Sequence, residues 1–329
     1  MRQTKKLNKG ANRECAIQAA VLLLVGGLAG ALGPTEAVAA PANCEEQCLR
    51  RIMDDYLSAM LAHDSKRLPV TNDVRFTENG VAIPLGQGLW WTASGPIGHK
   101  IYVPDPRSQT IGFMGALKEN ENTVYFSARL KLRDKKIAEA ETMVARGSMV
   151  AKEIVPARES LAELTPVSDR LPRAKLIEIS GKYFDALTNN DGNAAPFSPR
   201  CDPLENGMQV TNIALQPGQP PMDCATSLTV MSPIASVSHR RVLAVDETRN
   251  LVLWAAVFDI TGIVTPKLEA WRKTAPAPML EMLKQVFIPN SGPLMELFRI
   301  RDGKIAEIEA VFYPHQLPYG FTTGWNDHQ

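Results

Sequence analysis

The sequence lacks the short motifs that usually announce a reaction. It contains no Gly-x-Ser-x-Gly, no P-loop, no dinucleotide fingerprint and no His-Glu-x-x-His. Hydride transfer, phosphoryl transfer and zinc hydrolysis therefore lose their usual support. Histidine is scarce, with 5 in 329 residues, so each can be weighed singly. Neither sign of charge is in excess: the formal net charge is +1 and no basic stripe occurs. That balance argues against nucleic acid as a partner.

Long apolar runs are missing too, save one. Cys15 to Leu32 follows the basic residues Lys5, Lys6, Lys9 and Arg13 and precedes the small residues Ala37-Val38-Ala39. This order predicts a cleavable signal peptide over residues 1–39, with Ala40 as the new N-terminus. It implies a secreted or periplasmic protein with no stable membrane span after cleavage. Cleavage removes Arg2, Lys5, Lys6, Lys9 and Arg13 together with Glu14 and Glu36, which takes the formal net charge from +1 to −2.

Four cysteines remain after residue 39: Cys44, Cys48, Cys201 and Cys224. An even number in an exported chain predicts disulfides, in one of three pairings. Cys201–Cys224 is favoured, because it closes the long loop of the second half. Cys44 and Cys48 stand one helical turn apart, where a bridge is geometrically awkward, so that pair is not favoured. No His-Cys cluster accompanies them, and neither a metal nor a cofactor is expected.

What is present is repetition. Arg133-Asp134-Lys135-Lys136-Ile137-Ala138-Glu139 returns as Arg301-Asp302-Gly303-Lys304-Ile305-Ala306-Glu307. Each copy predicts a tight turn feeding a strand, the Asp-Gly copy more strongly. Tyr56 and Tyr183, Asp64 and Asp191, and Glu78-Asn79-Gly80 and Glu205-Asn206-Gly207 all lie 127 residues apart. The closing phrases lie 168 apart, so the second copy carries about forty extra residues, mostly loop. Apolar spacings of three and four predict helices over 48–62 and 176–187. Strands are predicted at 74–80, 110–117, 123–132, 242–247 and 251–260, and loops at 92–108 and 147–172. A helix followed by several antiparallel strands, given twice, is an α+β layer duplicated.

Phe76-Thr77-Glu78-Asn79-Gly80, Pro84-Leu85-Gly86-Gln87-Gly88-Leu89-Trp90, Tyr183-Phe184-Asp185-Ala186-Leu187 and Leu297-Phe298-Arg299-Ile300-Arg301-Asp302-Gly303-Lys304-Ile305 resemble the NTF2-like or SnoaL-like cone fold. The resemblance covers roughly residues 45–315, in a two-copy secreted arrangement known from fungi and bacteria. It implies two tandem cone-shaped domains, each with helices packed on a curved antiparallel sheet. The boundaries are 40–146 and 173–329, joined by a linker over 147–172. Cone folds serve as lyases, isomerases, dehydratases and binding modules, so the resemblance leaves the activity open.

A cone encloses a pocket, and the small strand residues Ala138, Ala140, Ala306 and Ala310 leave room in it or let a helix approach. Glu78 and Glu205 are acid/base candidates, since a carboxyl in an apolar cup exchanges protons near neutrality. A polar Glu-Asn-Gly turn would place them equally well. Trp90 and Trp91 could stack a ligand, though adjacent strand residues point opposite ways. His99, followed by Asp105, could act as a base, and Tyr102 or Arg240 could steady an oxyanion. His239 precedes Arg240 and Arg241. No histidine is placed opposite His99 in the second copy, which predicts one active and one structural repeat. Glu139, Glu141, Glu307 and Glu309 are expected to pair with Lys or Arg on an exposed face. The aromatic tail, Tyr313 to Trp325, is expected to fold back over a pocket mouth or a seam, which makes His315, Tyr319 and Trp325 secondary candidates.

The expectation is a secreted, cofactor-independent lyase or isomerase acting on a small apolar or aromatic molecule. His99 or Glu78 would be the base. Tyr102 and Arg240 would hold the oxyanion, and Trp90, Trp91, Asp105, His239 and Tyr319 would line the substrate. Its partner would be that small-molecule ligand, and a homodimer is compatible. The rival expectation is a non-catalytic binding or scaffold protein whose two cones bury their open faces against each other.

Overall fold

Apolar side chains at helical spacing make α1 (Glu46–Leu61), where Leu49, Ile52, Met53, Tyr56, Leu57 and Met60 are all buried. The helix stops at His63, whose φ is 54°. The computed structural model describes residues 43–213, 221–230, 234–263, 288–313 and 317–325, with isolated positions 266, 269 and 273. The proposed signal peptide and His315 lie outside the described residues.

After α1 the chain forms β1 (Val70–Glu78), β2 (Val81–Ala82), β3 (Ala93–Asp105), β4 (Thr110–Glu119), β5 (Asn122–Arg133) and β6 (Lys136–Ala145). The second repeat gives α2 (Arg173–Asn189), β7 (Phe197–Glu205), β8 (Met208–Gln209), α3 (Cys224–Val230), β9 (Ile234–Asp246), β10 (Leu251–Ile260), β11 (Asn290–Arg301) and β12 (Lys304–Phe312). The two six-stranded sheets have the same order, β2-β1-β6-β5-β4-β3 and β8-β7-β12-β11-β10-β9. Each is mixed rather than wholly antiparallel. The strand entering from the helix runs parallel to the last strand of the meander, β1 beside β6 and β7 beside β12. Residues 93–105, expected as loop, form the edge strand β3, where glycine and proline are tolerated.

Both copies of the repeated phrase make the same turn. Asp134 and Lys135 have φ of 52° and 60°, and Asp302 and Gly303 have 51° and 69°. Two successive positive φ values are what a two-residue hairpin turn needs.

Alternation along the strands separates two cores. In β4, Ile111, Phe113 and Leu117 face α1, while Met114 and Ala116 face the other sheet. In β10, Val252, Trp254 and Ala256 face α2, while Leu251, Leu253 and Ala255 enter the shared seam. The sheets thus meet back to back, through the faces turned away from their helices. This differs from the rival expectation, in which the two cones bury their open faces against each other. The described residues of both repeats belong to one compact unit, and the chain between β6 and α2 contributes Val150, Ile154 and Leu161 to the seam.

The strand glutamates pair as expected, but inside the seam. Glu141 meets Arg129 of its own sheet at 3.2 Å and Arg241 of the other at 2.6 Å. Glu309 meets Arg158 at 2.8 Å and His99 at 3.1 Å. Glu141 and Glu309 are each 3% exposed, because here both sheet faces are covered.

Both disulfides form, Cys201–Cys224 and also Cys44–Cys48. The second corrects the expectation above. Cys44 lies ahead of α1 rather than within its regular turns, and the Cα atoms stand 5.1 Å apart. Two disulfides fit an oxidising compartment. Among the described residues, no helix is long and apolar enough to cross a membrane.

Candidate functional site

The predicted site residues do not converge. His99 is 5% exposed in the seam. Its Nδ1 faces the Val155 carbonyl at 3.0 Å and its Nε2 faces Glu309 at 3.1 Å, so neither nitrogen is left for a substrate. Asp105 joins the repeats as well, accepting from the Val245 amide at 3.0 Å and pairing with Arg173 at 2.7 Å. Tyr102 donates to Asp54 at 2.6 Å on the outer side of α1, and desolvation, then Asp54, raises its pKa. Arg240 holds Asp185 of α2 at 2.5 Å and stacks over Phe184. Trp91 and Tyr319 are exposed.

His99 does have a counterpart. Gly98 and Ile101 pair with Ala116 and Met114, and Ser238 and Arg241 pair with Val257 and Ala255. Each edge strand therefore carries two residues opposite one, a β-bulge. His99 and His239 occupy the same place in it, with φ of 50° and 49°. The expected asymmetry of the histidines is thereby overturned.

The interior of the first cone is filled. Trp90 is 1% exposed, its indole N–H donates to the Tyr56 hydroxyl at 3.3 Å, and the two rings meet edge to face. Burial pushes the Tyr56 hydroxyl up to about 12. Glu78 is held in a structural role, accepting from the Leu89 amide at 2.7 Å and pairing with Arg146 at 3.1 Å. Gly88 permits this approach: a Cβ there would sit 2.3 Å from the carboxylate.

The second cone differs at each of these points. Glu205 replaces Glu78 by repeat position, but the sequence has Pro314 where the first copy has Arg146, 168 residues earlier. Where Ala128 faces Thr142 in the first sheet, Glu296 faces Ala310 in the second. The segment after β8 carries α3 in place of the Trp90 plug. The result is a small cavity of about 40 Å³ lined by Tyr183, Pro203, Glu205, Cys224, Leu228 and Phe258, among others. Glu296, 2% exposed, is hydrogen-bonded to the Tyr183 hydroxyl behind it, and its Oε2 has no partner.

These three groups titrate abnormally chiefly because the apolar cup removes water and, among the described residues, supplies no cation. Desolvation alone pushes Glu205 up to about 7. Desolvation, then the nearby Glu205 charge, holds Glu296 well above the ordinary carboxyl range, although its bond from Tyr183 works the other way. Desolvation, then Glu296 and Glu205, raises Tyr183. Near neutral pH the cup thus holds a protonated carboxyl and a phenol beside a carboxyl able to give or take a proton.

The sequence reading weighed Glu205 and missed Glu296. A signal was there: one acid within Leu294-Met295-Glu296-Leu297-Phe298, on the face that also carries Leu294 and Phe298. Among the described residues, no group of three or more metal-ligating side chains occurs.

A family profile described as a domain of unknown function (DUF8021) matches residues 169–312, the second repeat. No curated protein matches the chain. Among solved structures, a de novo designed NTF2 fold protein is 12% identical, covers 31% of this chain and 87% of its own, and gives a TM-score of 0.24. An LEH-like epoxide hydrolase of M. tuberculosis is 12% identical, with 30% and 83% covered and a TM-score of 0.24. AusH from Aspergillus nidulans is 9% identical, with 43% and 85% covered and a TM-score of 0.27. Likenesses of this size carry no argument about activity. The assignment of fold rests on the strand order and on the helix laid across each sheet: the chain is a tandem pair of NTF2-like cones.

Proposed function

We propose that the second cone is an acid/base site of the lyase or isomerase type for a small, largely apolar molecule. The observation that carries the reading is the meeting of Glu205, Glu296 and Tyr183 in one apolar cup, with no cation beside them among the described residues. Glu205 as carboxylate takes a proton from carbon next to a carbonyl, and the electron pair moves onto the carbonyl oxygen. The neutral Glu296 donates to the Tyr183 hydroxyl, which leaves the phenol's own proton to donate toward that oxygen. Glu205 then returns the proton to another carbon, or a leaving group departs. The cavity has room for only a few water molecules. An aromatic ring therefore enters only if the α3 wall, tied at Cys224 to Cys201, gives way. The basic start and apolar run of residues 1–39 support export through a cleavable signal peptide.

The test is proton exchange. Purified protein is incubated in deuterated water with aryl ketones and lignin-like aromatics, and deuterium uptake or product is read by mass spectrometry. Glu205→Gln lowers the rate by about a hundredfold or more, and Glu296→Gln lowers it as well. Unchanged turnover in both variants rules the site out. The rival reading, a non-catalytic binding or scaffold protein, has the filled first cone and the small second cavity in its favour. Saturable ligand binding without exchange would establish it.

A further inference from the structure

A second cavity lies away from the cones, where the outer face of the first sheet meets β9, the start of α2 and the C-terminal tail. It holds about 320 Å³, and five cationic side chains line it: Arg75, Arg129, Lys131, Arg173 and Arg241. Three carboxylates answer them, Glu139 and Glu141 at Arg129, Glu141 again at Arg241, and Asp105 at Arg173. Two positive charges are left over among the described residues. Among the described residues, Arg75 and Lys131 have no carboxylate within ion-pair distance.

Trp325 closes one side. It is buried, its indole N–H donates to Thr77 at 3.0 Å, and the Gly324 amide reaches the Gly80 carbonyl at 2.7 Å. The guanidinium groups of Arg75, Arg129 and Arg241 stand 4.4, 4.7 and 5.9 Å from the centre of that one indole ring. Three like charges around one ring repel each other. Among the described residues, the lining also contains two buried donors without an acceptor: Nε of Arg241 and the hydroxyl of Ser108. Excess positive charge, unanswered buried donors and a cavity of this size are complementary to one kind of guest.

We propose that this cleft binds a small organic or inorganic polyanion carrying two or more carboxylate or phosphate groups, held by Arg75, Lys131 and Arg241 against the Trp325 ring. The site is independent of the acid/base cup and stands whether or not that proposal survives.

Isothermal titration calorimetry on the mature protein at low ionic strength tests it, with citrate and inorganic pyrophosphate as probes and acetate as the singly charged control. One citrate or one pyrophosphate should bind per chain, at least about tenfold tighter than acetate, and weaken as salt is added. The tighter of the two names the anionic group. Arg75→Gln combined with Lys131→Gln should weaken that binding by about tenfold or more. Neither side chain belongs to a salt bridge among the described residues, so the fold should persist, which a thermal melt checks. If the pair of substitutions disturbs the fold, Lys131→Gln alone should show part of the loss. Equal affinity in the variants, or probes binding no better than acetate, would overturn the proposal.

Discussion

Glu78 and Glu205 end equivalent strands, and each precedes an Asn-Gly turn at positive φ. Arg146 and the Leu89 amide answer the first; apolar side chains surround the second. The difference has a consequence for folding. Below about pH 4.5 the Glu205 carboxyl is protonated in both the folded and the unfolded chain and does not affect stability. Between its ordinary value of 4.5 and about 7, the unfolded chain releases the proton while the folded chain keeps it. Stability therefore falls as pH rises through this window, and above it the full cost applies, about 3 kcal/mol. Glu205→Gln removes that cost. Urea unfolding should show the variant more stable than the parent at about pH 8 and nearly equal to it at about pH 4. A stability difference of the same size at both pH values would mean that the carboxyl is not desolvated as described.

At the scale of elements, what repeats locally was legible and what depends on register was not. Helix α1 and the two hairpin turns follow from spacing and dipeptides alone. The bulge in β3 and β9 does not, because the two histidines lie 140 residues apart while the flanking repeats lie 127 and 168 apart. No single offset aligns them, and only strand pairing shows that His99 and His239 share a place. The turns themselves invite a test. Lys135 holds a φ of 60° at an exposed position where the second copy has Gly303. A side chain in the left-handed region costs about 1–2 kcal/mol relative to glycine. Lys135→Gly should therefore raise stability by about 1 kcal/mol in chemical denaturation, and a loss of stability would show that the Lys135 side chain contributes something the turn needs.

At the scale of the whole molecule, the sequence showed two copies and hid how they join. Alternation marks which residues share a sheet face, but both faces here are apolar, so period two does not say which meets a helix and which meets the other sheet. The strand acids deepened the ambiguity: Glu141 and Glu309 look like surface residues until their cationic partners are found across the seam. That seam gives each repeat a reason not to unfold alone. Leu253 is fully buried in it, and a Cβ on Gly112 of the other sheet would lie 2.4 Å from Leu253 Cδ2, so the two backbones approach through this leucine. Leu253→Ala should cost about 2–5 kcal/mol. Because the lost contacts belong to both repeats, scanning calorimetry should record one transition moved to lower temperature. Two resolved transitions, with only the second repeat destabilised, would show that the cones unfold independently and that the seam does not couple them.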